Sequence, residues 1–186
     1  MAKRINSKSK GSSFERNMAT EFSELFKDTF KRVPQSGAIV GGLNRLKMHE
    51  LRSDAQEILA GDLIVPRWFP FSVELKNYGV DTGPNMYTLL ENNSAVLDGW
   101  IEQSIADATF ARKKYLLLFK ITRKSSYVCV NYGDFVEKCI SKIEDMPPKY
   151  IMYNGNIIID KQLFINSYIW DYFPKEKRSQ KPTLSI

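Results

Sequence analysis

A chain of 186 residues with 43% hydrophobic side chains suits one domain with a sizeable core, and its formal net charge of +6 favours a polyanionic partner such as nucleic acid. Two cysteines and one histidine cannot build a disulfide framework, a zinc finger, a cysteine–histidine nucleophile or a histidine-ligated nuclease centre, so any catalysis falls to carboxylates and lysines. No apolar run approaches a membrane span and the start MAKRINSKSKGSS lacks a signal-peptide core, so a cytoplasmic protein with no membrane association is expected.

Residues 1–11, with Lys3, Arg4, Lys8 and Lys10, read as a mobile basic arm, either merely solvated or able to neutralise phosphates. SSFERNMATEFSELFKDTF (12–30) is an amphipathic helix in which Phe14, Met18, Phe22, Leu25 and Phe26 share one arc. Glu15 falls inside that arc and Glu24 outside it. A carboxylate on an apolar face needs a reason. Ser12 and Glu15 also have the spacing of a capping box, which leaves that reason open.

FKRVPQSGA (30–38) reads as a strand running into a turn at Pro34 and Gly37. The stretch 38–60, with Gly41-Gly42, Arg45, Lys47 and Arg52, is an insertion or mobile basic loop. Two short strands follow, DLIVP (62–66) and FSVELKNY (71–78), joined by the turn-rich RWFP and close enough to be hairpin neighbours. AVLDGWIEQSIADATFARKK (95–114) is a second helix whose narrow face carries Leu97, Trp100, Ser104, Ala108 and Ala111, with Gln103 and Asp107 at its edge. YLLLFKIT (115–122) is continuously apolar and reads as a central strand, SYVCVN (126–131) as its neighbour and YGDFVEKCISKI (132–143) as a third helix. Cys129 and Cys139 read as small buried hydrophobes. KYIMYNGNIIID (149–160) carries an Asn-Gly hairpin turn, and the chain closes on the polar tail KEKRSQKPTLSI. The expected fold is α/β with a mixed central β-sheet flanked by helices, a core over 12–145 and a C-terminal β-hairpin extension with its tail over 146–186.

Strand alternation places Phe71, Val73 and Leu75 on one face and Ser72, Glu74 and Lys76 on the other. With Asp62 at the start of the preceding strand, two carboxylates and a lysine converge at one end of a sheet. That set suits phosphodiester hydrolysis. A hard divalent cation needs only one or two carboxylates and a carbonyl; it polarises the phosphoryl oxygen and acidifies water, and a neighbouring lysine offsets the developing charge. The alternative is a surface ion pair of negligible worth.

The sequence GD followed by VELK resembles the signature of the PD-(D/E)XK nuclease superfamily, with Gly61 in the proline position. The ordered blocks KGSSFERNM, RVPQSGA, AGDLIVP, FSVELKN, WIEQSIADA and YLLLFKITRKSSYVCV, over roughly residues 9–130, resemble archaeal Holliday-junction resolvases and related phage-encoded nucleases. The resemblance implies a restriction-endonuclease-like core and a DNA endonuclease using Mg²⁺, with Mn²⁺ able to substitute. Glu15, Asp62, Glu74 and the Leu75 carbonyl would hold the metal, Lys76 would be the catalytic lysine, and Gln103 the helix glutamine of many members, unless it is a plain solvated glutamine. Ser36 would lie near the scissile phosphate, and Lys10, Arg45, Lys47 and Arg123 are the basic residues expected on the substrate.

A homodimer cutting branched DNA is implied, with PRWFPF and the hairpin as candidate dimer surfaces unless those aromatics pack in the core. A phage-encoded protein acting in the host cytoplasm fits the same likeness. Other readings are a restriction-like, repair or replication nuclease on non-junction DNA, and a non-catalytic DNA-binding scaffold. Two departures stand out: 24 residues separate Gly37 from Asp62, and nothing after about residue 131 has an evident counterpart.

Overall fold

The continuous apolar run near residue 118 is explained by what covers it. The computed structural model describes residues 7–34, 60–79, 83–121, 125–179 and 181. Its elements in chain order are α1 (Ser7–Phe26), β1 (Lys31–Arg32), β2 (Leu63–Ile64), β3 (Phe71–Tyr78), α2 (Met86–Leu90) and α3 (Ala95–Ala111). Then come β4 (Lys114–Ile121), β5 (Ser126–Asn131), α4 (Tyr132–Cys139), β6 (Tyr150–Tyr153) and β7 (Asn156–Asp160), followed by short helical turns from Lys161 to Tyr172. Five strands form one mixed sheet in the order β3-β4-β5-β7-β6. β3 and β4 are parallel, with Glu74 opposite Leu117, and α3 is their crossover. The other pairs are antiparallel.

Alternation divides the core into two layers. Phe71, Val73, Leu75, Leu116, Leu118, Val128, Val130, Ile157 and Ile159 pack beneath α1, α4 and the C-terminal turns. Tyr115, Leu117, Phe119, Cys129 and Ile158 pack beneath α3. β4 is apolar on both faces because helices cover both. Cys129 is fully buried, as expected of a small hydrophobe.

The arc of Phe14, Met18, Phe22 and Phe26 is buried, as the periodicity required. Phe26 makes edge contacts with Trp170 and Phe173 at 5.3 and 5.2 Å between ring centroids. The aromatics of the last helical turns therefore complete the core that α1 begins. The Asn154-Gly155 turn forms, with both residues at positive φ, and its hairpin lengthens the central sheet itself, since β7 pairs with β5. Tyr153 ties the hairpin to the start of α3: its hydroxyl accepts from the Ser94 N–H and donates to Asp98, each at 2.8 Å.

Three expectations are corrected. α1 starts at Ser7, inside the stretch expected as an arm, so Ser12 is mid-helix and does not cap it. β2 pairs with β1 rather than β3: Arg32 faces Leu63, and a backbone bond from the Asp62 N–H to the Val73 carbonyl, 2.8 Å, joins that ribbon to β3. The third helix stops at Cys139, short of 143, because the Asp145 carboxylate captures the Ser141 and Lys142 N–H groups beyond it. Of the two readings of PRWFPF, core packing of its aromatics holds: Phe69 and Phe71 are buried, and Trp68 packs on Phe26 and Phe173.

Candidate active site on the edge of the central sheet

β3 is the outer strand on its side of the sheet. Its even-numbered residues face α3 and its odd-numbered residues face α1. Glu74 is 2% exposed and sits beside Leu117 in an apolar layer, so the surface ion-pair alternative fails. Its Oε1 accepts from Lys76 Nζ at 2.5 Å. The same ammonium donates to Gln103 Oε1 at 2.8 Å, so Gln103, although exposed, has a specific partner. Oε2 of Glu74 is buried and, among the described residues, has no hydrogen-bond partner. A buried acceptor left unmet costs stability unless something else satisfies it.

Asp62 reaches this point through Gly61. At φ +81° Gly61 turns the chain back onto β3; a Cβ there would lie 2.6 Å from the Val73 carbonyl oxygen. Proline, whose ring fixes a negative φ, cannot adopt that backbone, which explains the missing proline of the signature. The turn lets the Asp62 N–H bond the Val73 carbonyl and lets Oδ2 accept from the Leu75 N–H at 2.8 Å. Within a strand the N–H and C=O of one residue face the same side, so the Leu75 carbonyl shares that edge. Gly61→Ala is expected to destabilise the protein by about 2–4 kcal/mol. A shift of the urea midpoint checks this, and an unchanged midpoint would refute the role given to the turn.

The electrostatics follow from burial. Desolvation and the Asp62 charge, with a further contribution from Asp107, push the Glu74 carboxyl up to about 8 against the charge and hydrogen bond of Lys76. Burial alone would pull the Lys76 ammonium down, but Glu74, Asp62 and Tyr78 hold it above the ordinary lysine value. So close a set titrates jointly. Glu74, almost wholly enclosed, is the group whose upward shift governs the site.

Glu15 pairs with Arg32, which stands opposite Leu63 in the β1–β2 ribbon, next to Asp62. The capping-box alternative is thereby displaced, and the partner of Glu15 is a guanidinium. The charges acting on Glu74 are those of Asp62, Lys76 and Asp107. Among the described residues no group of three or more His, Cys, Asp or Glu side chains forms a ready metal-binding cluster. Asp62 and Glu74 with the Leu75 carbonyl nevertheless meet the needs of a hard divalent cation, and the unpartnered Oε2 marks where one more positive group is wanted.

The sequence reading passed over Arg32 and the burial of Asp107. The second had a signal: Asp107 lies four residues after Gln103, on the same side of α3. Ser36, Arg45, Lys47 and Arg123 lie outside the described residues, as does the side chain of Lys10.

A mixed sheet with a parallel β3–α3–β4 unit, an aspartate beside its edge strand and E-x-K within that strand defines the PD-(D/E)XK nuclease superfamily. The match to a family model makes this specific: residues 6–176 fit the family described as "Phage putative PDDEXK endonuclease", and the chain belongs to it. The matched span runs through the hairpin and the C-terminal turns, so the part beyond residue 131 does have a counterpart. No curated protein and no solved structure matches the chain. Among the described residues no helix is long and apolar enough to cross a membrane.

Proposed function

We propose that the protein is a divalent-cation-dependent DNA endonuclease, using Mg²⁺ or Mn²⁺, that cuts branched DNA as a homodimer. The observation that carries the cation and the chemistry is the buried, unpartnered oxygen of Glu74 beside Asp62, on the strand face that also holds Lys76. Asp62, Glu74 and the Leu75 carbonyl would hold the cation, with Glu15 as the outer carboxylate on the Asp62 side. A bound cation supplies Lewis-acid polarisation of the phosphoryl oxygen and acidification of water near neutral pH.

The protein's own groups do the rest. Gln103 and Glu74 fix the Lys76 ammonium on one spot, where it stabilises charge gathering on the phosphoryl oxygens. Water adds to phosphorus, one P–O ester bond breaks, and the proton from water ends on the leaving oxygen, giving a phosphate end and a hydroxyl end. Lys10, Ser36, Arg45, Lys47 and Arg123 are the proposed contacts to the DNA backbone.

Two opposed strands require two matched sites, which a two-fold dimer provides. The outermost strand, β6, presents Tyr150 and Met152 to solvent and is the proposed dimer edge. The proposed site of action is the cytoplasm of a phage host. The test compares cleavage of a four-way junction with that of a matched linear duplex at equal Mg²⁺. At least about tenfold faster cutting of the junction is expected, equivalent to roughly 1.4 kcal/mol of discrimination. Equal rates would leave an endonuclease that ignores branching; no cleavage of either would leave a scaffold.

A further inference from the structure

Two contacts align α3 with β3 beyond the catalytic lysine. Gln103 accepts from Lys76 at 2.8 Å, and Trp100 packs on Tyr78 with ring centroids 4.7 Å apart. Two strand residues, about 6.6 Å, separate Tyr78 from Lys76, and alternation puts both side chains on one face. Tyr78 is 36% exposed, but its support is not. Trp100 is buried and packs in turn on Phe119, with centroids 5.8 Å apart. The phenol ring is therefore held from the protein side while it stays open to solvent.

The helix beside it carries a residue that the fold does not ask for. Gly99 lies inside α3, four residues before Gln103 and so on the same side of the helix. A glycine there costs stability relative to alanine, because it loses more backbone freedom on folding. Crowding and positive φ explain Gly61, but neither applies to Gly99. Among the described residues, a Cβ at Gly99 would meet no atom within 4 Å. Val96, three residues earlier, is exposed as well. A bare stretch of helix thus leads away from Gln103 at the Tyr78 end of the site.

An aromatic ring fixed beside a phosphate-directed lysine offers a base a stacking surface, whatever the base. Glycine lets another molecule come close to the helix backbone. A base inside a continuous duplex already has neighbours on both faces, so Tyr78 can receive only a base that has left the stack. We propose that Tyr78 and the Gly99 side of α3 form a subsite for one unpaired nucleotide next to the phosphate that Lys76 contacts. The base stacks on Tyr78, and its sugar and phosphate pass over Gly99. The inference rests on the endonuclease reading above and narrows its substrate to DNA whose strands part at the cut.

The test measures DNA binding by the full chain, with Ca²⁺ in place of Mg²⁺ to keep the DNA intact. A linear duplex is compared by fluorescence anisotropy with a duplex of the same sequence ending in splayed arms. Wild type is expected to prefer the splayed arms by at least about tenfold. Tyr78→Ala and Gly99→Gln should each reduce that preference about tenfold. Tyr78→Phe should hold it within about twofold, since stacking needs the ring and not the hydroxyl. Gly99→Ala should raise the thermal midpoint by about 1–4 °C. A fall instead would mean that the fold itself needs the glycine, and would overturn its place in the subsite. Variants that keep the wild-type preference would overturn the subsite, even if they bind both DNAs more weakly, because general damage lowers both affinities and spares their ratio. Gly99→Gln, placed in open space, decides the matter if Tyr78→Ala does not fold, and its own failure to fold would count against the subsite. Equal binding of the two DNAs by wild type would also overturn it and spare the endonuclease reading, which cleavage in Mg²⁺ tests separately. Binding of neither DNA would overturn both.

Discussion

Glu74→Gln is expected to slow phosphodiester cleavage by about a thousandfold or more, and Lys76→Met by about a hundred- to a thousandfold, with the fold retained in both. The reasons differ. Glutamine keeps the shape of Glu74 but removes the charge that, with Asp62, would hold the cation. Methionine keeps much of the lysine stem, which stands opposite Phe119 in the parallel register, but removes the ammonium fixed between Glu74 and Gln103. Excess Mn²⁺ separates the two. Raising it should restore part of the Glu74→Gln rate by mass action and none of the Lys76→Met rate, since the role proposed for Lys76 is on the phosphoryl group rather than on affinity for the ion. Single-turnover cleavage across a Mn²⁺ series measures both. Either variant cutting at the wild-type rate, without wild-type contamination, would remove its residue from the proposed machinery.

The local parts of this structure were readable because period and alternation are properties of neighbouring residues. The buried arc of α1, the two-sided apolar run of β4, the Asn-Gly turn and the opposite faces of Glu74 and Lys76 against Val73 and Leu75 all follow from spacing. Pairing between distant segments is another matter. No local pattern says that β7 docks on β5, or that Trp170 and Phe173 close the core beneath Phe26, so the joining of the C-terminal segment to the nuclease sheet was not legible. Nor was the partner of Glu15, which is a guanidinium on a two-residue strand 17 positions away.

At the site itself, Asp62, Glu74 and Lys76 were grouped by strand alternation and order, with Gln103 added by the resemblance; in the structure Lys76 bonds both Glu74 and Gln103, and the Asp62 charge acts on Glu74. What stayed hidden was the depth. Alternation shows that Glu74 and Lys76 share a face, but the covering by α3 turns that face from a surface into a buried, charged layer. Asp107 was visible only as an edge residue for the same reason.

The pH dependence of stability is expected to carry the signature of that depth. Without divalent cation, the Glu74 carboxyl of the folded protein titrates near 8, against about 4.5 when exposed. Between those values the folded state keeps a proton that the unfolded state has released. Stability is therefore expected to fall as pH rises through this window and to level off above it. The fall attributable to Glu74 is on the order of a few kcal/mol. Glu74→Gln cannot titrate, so urea midpoints of wild type and variant measured with chelator at pH 5, 7 and 9 should diverge steadily in favour of the variant. Asp62, Asp107 and Lys76 face the same group, and they are present in both proteins. Saturating Mn²⁺ should reverse the trend in wild type alone, because protons compete with the cation for the carboxylates and its stabilisation grows as they leave. Parallel pH profiles for the two proteins in chelator would mean that Glu74 is already ionised at pH 5. Its second oxygen would then have to be satisfied within the protein, and the physical case for a cation at this edge of the sheet would fall with it.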